Sequence, residues 1–305
     1  MIAPGKPAAL LLEIFRSFRP NQWTKNLVVF AAYIFAFGDR TQSLVTGSFL
    51  LVFEAFVIFC MASSSIYLLN DIVDRENDRN HPLKRYRPVA AGSVPVPAAA
   101  ILSVVLGGSG LVTAFVLNFF FGLLILAYLC LQAAYSLWLK HTALVDVFII
   151  ATGFIFRAAA GGIVIHATLS PWFLLCAFLL ALFLALCKRR HEKLLMENLA
   201  NTRPSLDQYD SKLLDQLIAI VSASVIVCYS IYTLWPDTTR KFGTYWLSLT
   251  IPFVIFGIFR YLDLVYRKEG GGRPEKVLLT DLPVIVILLL YGLTLLVIFL
   301  LAKPM

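Results

Sequence analysis

Apolar stretches recur along nearly the whole chain, each bounded by a short polar or charged segment. A helix needs about 20 mostly apolar residues to cross a hydrocarbon core about 30 Å thick. Nine stretches qualify: 23–38, 47–69, 98–117, 119–138, 143–165, 171–187, 213–235, 244–262 and 279–301. The pattern predicts an all-α polytopic membrane protein of about nine transmembrane helices, with residues 1–305 as one membrane-embedded domain. The first stretch is short and borrows from the amphipathic residues before it. Residues 1–22 predict an interfacial segment. Its run Ala8–Phe15 contains Glu13, is followed by Arg16 and Arg19, and lacks the small-residue cleavage site of a signal peptide. Gly107, Gly108 and Gly110 in the third stretch predict close helix packing and no chemistry.

Composition sharpens this picture. Hydrophobic residues make up 59% of the chain and charged residues 14%, against about 25% charged in ordinary soluble domains. No polar stretch is long enough to form a soluble core. Cys60, Cys130, Cys176, Cys187 and Cys228 all lie in apolar runs without a CxxC or Cys/His cluster. They read as small buried apolar residues.

The basic residues predict orientation. With the N-terminus cytoplasmic, the inner side collects Lys6, Arg16, Arg19 and Lys25, then Arg75, Arg79, Lys84, Arg85 and Arg87, then Lys140. Further on it collects Lys188, Arg189, Arg190, Lys193, Arg203 and Lys212, and finally Arg260, Arg267, Lys268, Arg273 and Lys276. The outer side keeps Arg40, Arg240, Lys241 and Lys303. The net charge of +8 is therefore mostly a topology signal. No stacking platform or groove-reading motif accompanies it, so nucleic acid is not an expected partner. The inner segments are also the longer ones, which predicts a site facing the cytoplasm at a cell (inner) membrane, built on the loops 70–96 and 188–212.

The chemistry concentrates in Asn70-Asp71-Ile72-Val73-Asp74-Arg75-Glu76-Asn77-Asp78. Asp71, Asp74 and Asp78 fall at i, i+3 and i+7, one face of a helix, with Asn70 at i−4 from Asp74. Three carboxylates on one face repel unless a cation joins them. Mg²⁺ prefers a few carboxylates with waters and substrate phosphates to a full protein cage. The spacing thus points to a metal-bound diphosphate; a solvated acidic helix end is the plainer alternative. His81 to Gly92 follows as a loop with Pro82 and Pro88. Its Lys84, Arg85 and Arg87 suit phosphate oxygens as well as topology.

NDxxDxxxD followed by HPxKRxRPxAAG resembles the UbiA superfamily of intramembrane prenyltransferases, over essentially the whole chain. The resemblance implies an inward-facing site and Mg²⁺ held by Asn70, Asp71, Asp74 and Asp78. Typical members carry a second aspartate-rich motif near the end of the sixth span. Here that place reads Cys187-Lys188-Arg189-Arg190-His191-Glu192. One acidic and one basic cluster suit one metal-bound diphosphate and one naked phosphate. This resembles the branch that transfers phosphoribosyl from phosphoribosyl pyrophosphate to a polyprenyl (decaprenyl) phosphate. Arg19 to Asn26, Tyr135 to His141, Arg157 to Gly162, Pro171 to Phe173 and Arg260-Tyr261 are similar to that branch as well.

The resemblance implies that Asp71, Asp74 and Asp78 carry the leaving pyrophosphate through the metal. Lys25, Asn70, Lys84, Arg85, Arg87, Tyr135, Lys140, Arg157, Lys188, Arg189 and Glu192 are the candidate substrate-binding residues. Lys188 and Glu192 stand at i, i+4 and equally suit a simple helix pair. Arg157 lies inside the fifth span, where a charge is usually functional; bonding to backbone carbonyls is the alternative. Asp146 shares its face, but about 16 Å along the axis is too far for direct pairing. Two rival functions stand beside this one: a Mg²⁺-dependent prenyltransferase with an aromatic acceptor, and a lipid transporter or flippase. A homo-oligomer is compatible with these spans.

Overall fold

The computed structural model describes residues 7–42, 44–197, 209–267, 277 and 280–301. Lys6, Arg203, Lys268, Arg273, Lys276, Lys303 and the 198–208 part of the expected 188–212 loop lie outside the described residues. Among the described residues there is helix and connecting turn, and no strand.

Helix α1 is Pro7–Ser17, α2 Val29–Gly38, α3 Ser48–Val73, α4 Arg75–Asn80 and α5 Pro88–Ala91. They are followed by α6 Val96–Leu117, α7 Phe119–Leu137, α8 Val145–Val164 and α9 Pro171–Glu197. Helices α10 Ser211–Leu234, α11 Pro236–Phe242, α12 Ile251–Arg267 and α13 Leu282–Leu301 complete the chain. Among the described residues, eight helices are long and apolar enough to cross a membrane, from Ser48–Val73 to Leu282–Leu301. The protein is a multi-pass membrane protein. Helices α6, α7 and α13 expose Val104, Val116, Phe120, Leu123, Leu289 and Leu300, as lipid-facing helices must.

The expected first span, 23–38, differs. Pro20–Val28 is a 3-10 helix, and only the ten residues of α2 are α-helical. Pro20 opens the turn, and the Gln22 N–H bonds back to the Arg19 carbonyl at 2.8 Å. At about 2.0 Å per residue in the 3-10 part and 1.5 Å in the α part, the combined segment still reaches about 33 Å. Helix α9 also departs from expectation. It does not stop at Cys187 but runs to Glu197, because no Gly or Pro interrupts Lys188–Glu197. Lys188 to Glu192 therefore stand on a helix, not on a loop.

The bundle has two halves joined by α8. On one side α8 packs with α2, α3 and α7, and through α3 and α7 with α6, around Val52, Phe59, Phe121, Ile125 and Ala160. On the other it packs with α9, and through α9 with α10 and α12, around Val147, Phe183, Leu186, Ile218 and Tyr261. Gly161 of α8 makes the first side possible: a Cβ there would stand 2.0 Å from the Val29 carbonyl oxygen of α2. The end away from the acids is closed by polar ties. Arg40 donates to the Phe299 carbonyl at 2.7 Å, and Lys241 to the Thr168 carbonyl at 2.9 Å.

Candidate active site

Helix α3 carries Asp71 in its last turn. At Asp74 the backbone relaxes to φ −88 and ψ 3, and α4 resumes with the Asp78 N–H bonded to the Asp74 carbonyl at 2.8 Å. The near-continuous helix keeps Asp71 and Asp78 on one face, both almost fully buried. Arg87 bridges them: its Nη1 lies 2.6 Å from Asp78 Oδ2 and 3.3 Å from Asp71 Oδ1. Arg19 also donates to Asp71 Oδ1 and lies over the Tyr67 ring, 5.1 Å from its centroid. Asp74 turns aside, to the buried Lys140 of the α7–α8 corner. Asn70 sits half-buried one turn before Asp74, and its carbonyl accepts the Asp74 N–H at 2.9 Å.

The acids therefore do not converge as their spacing alone suggests. Among the described residues, no three His, Cys, Asp or Glu side chains form a ready metal cage. The physical reason is charge pairing: Asp71 takes Arg19 and Arg87, Asp74 takes Lys140, and Asp78 shares Arg87 with Asp71. Asp71 Oδ2 is the exception, a buried acceptor atom with no hydrogen-bond partner. An open buried carboxylate oxygen, with Asp78 tied to the same Arg87, fits Mg²⁺, which binds through one or two carboxylates plus substrate phosphates and water.

The three loop cations separate. Arg87 is drawn in. Lys84 is half-buried beside His81. Arg85 is exposed, bonds the Tyr86 hydroxyl at 2.7 Å and lies over its ring, so it is turned to solvent and away from the acids. A short 3-10 turn, Lys84–Tyr86, sets this alternation. His81 Nδ1 accepts the N–H groups of Leu83 and Lys84 at 3.1 and 3.3 Å. Burial, then the neighbouring Lys84 charge, lowers its proton affinity, against the opposing pull of Asp78 and Glu192. His81 thus lies within electrostatic reach of both the acidic segment and the end of α9.

The α9 residues are paired one by one. Arg189 is buried: its Nε donates to Asp146 Oδ2 at 2.7 Å, its Nη1 to Glu192, and its Nη2 to the Tyr135 hydroxyl at 3.4 Å. Lys188 Nζ stands 4.0 Å from Glu192, so the i, i+4 pair is loose and Arg189 is the stronger partner. Arg190 points elsewhere, to Asp215 at 2.6 Å and over the Tyr266 ring at 4.0 Å. The expected basic cluster is thus largely neutralised by acids from α8, α9 and α10.

Arg157 lies deep in the bundle, 5% exposed. It donates to Asn26 Oδ1 and to the Gly153 carbonyl, both at 2.7 Å, and to the Tyr128 hydroxyl at 3.0 Å. The rings of Phe59, Tyr128 and Phe154 surround the guanidinium. Asn26 in turn bonds Ser63 at 3.2 Å and Cys60 at 3.3 Å. The net effect is to pin the 3-10 segment, and with it the half-buried Lys25, to α3 and α8.

Sequence reasoning undervalued Arg19, Asn26, Asp146 and Tyr209. Arg19 counted only as an inner charge and part of a similar segment. Asp146 offered a usable signal: a lone acid entering an apolar span must find a cation when buried. Tyr209 gave none, because its role depends on a fold contact. Two clefts, one beside Asp39 and Lys241 and one beside Asn118 and His166, lie at the other end and do not touch the acids.

The sequence profile of the UbiA prenyltransferase family matches residues 27–277. The decaprenyl-phosphate phosphoribosyltransferase of Mycolicibacterium smegmatis is 38% identical over 288 residues, covering 91% of this chain and 89% of that one. The enzyme of the same name from Mycobacterium tuberculosis is 38% identical over 279 residues, 90% of each. A UbiA homolog from Archaeoglobus fulgidus, solved with GPP and Mg²⁺, superposes with a TM-score of 0.71 at 19% identity, over 95% of this chain and 100% of that one.

Proposed function

The chain belongs to the UbiA prenyltransferase family, and on that premise we propose that it is the transferase that moves the 5-phosphoribosyl group of phosphoribosyl pyrophosphate onto a polyprenyl phosphate. The observation that carries this reading is the 38% identity to the two mycobacterial phosphoribosyltransferases across about nine-tenths of each chain. A phosphate oxygen of the lipid forms a bond to ribose C1, and the bond from C1 to the pyrophosphate oxygen breaks. The acceptor is already an anion, so no general base is needed. The work is positioning and charge stabilisation.

Mg²⁺ bound with the donor would supply Lewis-acid neutralisation of the leaving pyrophosphate. Asn70, Asp71, Asp74 and Asp78 would hold it, and the open Asp71 Oδ2 supports that assignment. Arg19, Arg87 and Lys140 balance the acids' charge. They stand beside the position where the pyrophosphate oxygens gather negative charge. Lys25, Lys84, Lys188 and Tyr135 line the same end and suit the remaining phosphates. Arg189 and Arg157 orient their neighbours. Basic residues crowd this end, which supports a cytoplasm-facing site at a cell membrane, with residues 1–305 as one catalytic domain.

The test is an assay of purified protein with Mg²⁺, radiolabelled phosphoribosyl pyrophosphate and polyprenyl phosphate. Label is expected in the lipid fraction. No lipid-linked label, together with transfer from a prenyl diphosphate to an aromatic acceptor, overturns the proposal in favour of a conventional prenyltransferase.

A further inference from the structure

The corner between α7 and α8 serves both halves of the site. Its Lys140 holds Asp74 on the acidic side, and its Asp146 holds Arg189 on the α9 side. Between them Leu144 is kept at φ 66 and ψ −46. A bulky L-residue keeps such a backbone only where its surroundings over-determine it, and such residues gather at functional sites.

Tyr209 supplies a constraint. Its hydroxyl accepts the Leu144 N–H at 2.7 Å and donates to Asp146 Oδ1 at 2.7 Å. The side chain is buried in the core shared by α8, α9 and α10. Burial and the bond to Asp146 push its phenol well above the ordinary value, so it stays protonated and remains a donor. Asp146 is fully buried; its Oδ1 also takes the Val147 N–H at 2.8 Å, which leaves Oδ2 for Arg189. With its three nitrogens engaged and its side chain 3% exposed, Arg189 is a brace and not an open phosphate ligand. Exposure rises along this chain of contacts, to 27% at the Glu192 side chain, which lies within electrostatic reach of His81.

We propose that Tyr209 and Asp146 are positioning residues for the transfer reaction: they fix the α7–α8 corner and Arg189, and through Arg189 they orient Glu192 toward the His81 side of the site. The proposal rests on the function proposed above. It assigns Tyr209, at the end of the α9–α10 connection, a place in the reaction, although it touches no substrate.

A double-mutant cycle on the full-length protein tests it. Tyr209→Phe keeps the ring and removes both hydroxyl bonds. In the wild-type background kcat/KM for the donor is expected to fall on the order of tenfold. In a Glu192→Gln background the further fall is expected to be under about twofold, because the relay no longer has a carboxylate to orient. Tyr266→Phe is the control: it removes a phenol–carboxylate bond, to Asp215 at 2.9 Å, that is exposed and lies outside the relay. It should cost less thermal stability than Tyr209→Phe and leave turnover unchanged. Equal falls in both backgrounds mean a merely structural role and overturn the proposal, as does full activity of Tyr209→Phe or of Glu192→Gln. If Tyr209→Phe is not recovered folded, the same cycle with Asp146→Asn decides. A wild type active only with a prenyl diphosphate refutes the proposed function instead, and the cycle is then read with that donor.

Discussion

Gly161→Ala sets helix propensity against tertiary packing. In an isolated helix this change stabilises by about 0.8–1.0 kcal/mol. Here the added Cβ would stand 2.0 Å from the Val29 carbonyl oxygen, where ordinary contact begins at 3.4 Å, and 3.1 Å from the Ala32 Cβ. The obstacle is backbone, so α2 and α8 must part by about 1.4 Å. Overpacking of this kind costs about 1–3 kcal/mol. Asn26 lies one helical turn before Val29 and moves with it. A retreat of that size carries the 2.7 Å bond from Arg157 to Asn26 beyond hydrogen-bonding distance. Losing a bond to a charged group costs about 1.5–3 kcal/mol more. After the propensity gain, a net loss of about 1.5–5 kcal/mol remains. The assay is thermal unfolding of detergent-purified protein beside Gly108→Ala, whose Cβ would meet nothing within 4 Å. Gly108→Ala should match the parent or exceed it by up to about 1 kcal/mol. Equal stability of the two variants refutes the close-approach argument.

Three further outcomes follow from the site. Asp74→Asn should abolish turnover while the protein stays folded; Asp74→Ala is a poorer test, because it strands the buried Lys140 ammonium, and wild-type turnover in either variant removes Asp74 from the metal set. Arg87→Ala leaves two buried carboxylates short of a cation and should cost about 3–5 kcal/mol as well as activity, whereas the exposed Arg85→Ala should change stability by under about 0.5 kcal/mol, and a reversed order in thermal unfolding contradicts the pairing described. His81 titrates below its ordinary 6.5, so the fold favours the neutral ring: its contribution to stability is complete above pH 6.5 and is lost as pH falls toward the lowered value. His81→Asn keeps an acceptor that does not titrate, so it should flatten the acid side of the stability profile; an unchanged profile rules out His81 as its source.

The membrane architecture was legible because lipid imposes a one-dimensional rule, a run of apolar residues long enough to cross, and among the described residues eight such helices stand where the pattern expected them. The exceptions are local. The 3-10 segment before α2 is held by side-chain bonds from Asn26 to α3 and α8, which no hydropathy pattern encodes. Helix α9 runs past its apolar part because no Gly or Pro interrupts it and Arg189 is paired with Asp146 of α8. The spacing of the acidic segment was legible in part: it holds Asp71 and Asp78 on one buried face, while Asp74 turns aside to Lys140.

Partner choice was not legible. By sequence Lys188, Arg189 and Arg190 form one basic cluster. Neighbouring side chains on a helix point about 100° apart, so the fold sends Arg189 to Asp146, Arg190 to Asp215, and leaves Lys188 near Glu192. By sequence Arg19 is one more inner charge; the turn at Pro20 places it on Asp71. The sequence alone thus determined the solvent and, among the described residues, the number of apolar helices to within one, because these depend on composition and local spacing. Which cation meets which carboxylate, and whether a charge is an open ligand or a buried brace, was decided only by the tertiary structure, because charges separated by tens to more than a hundred residues interact once packing brings them within a few ångströms and removes the water between them.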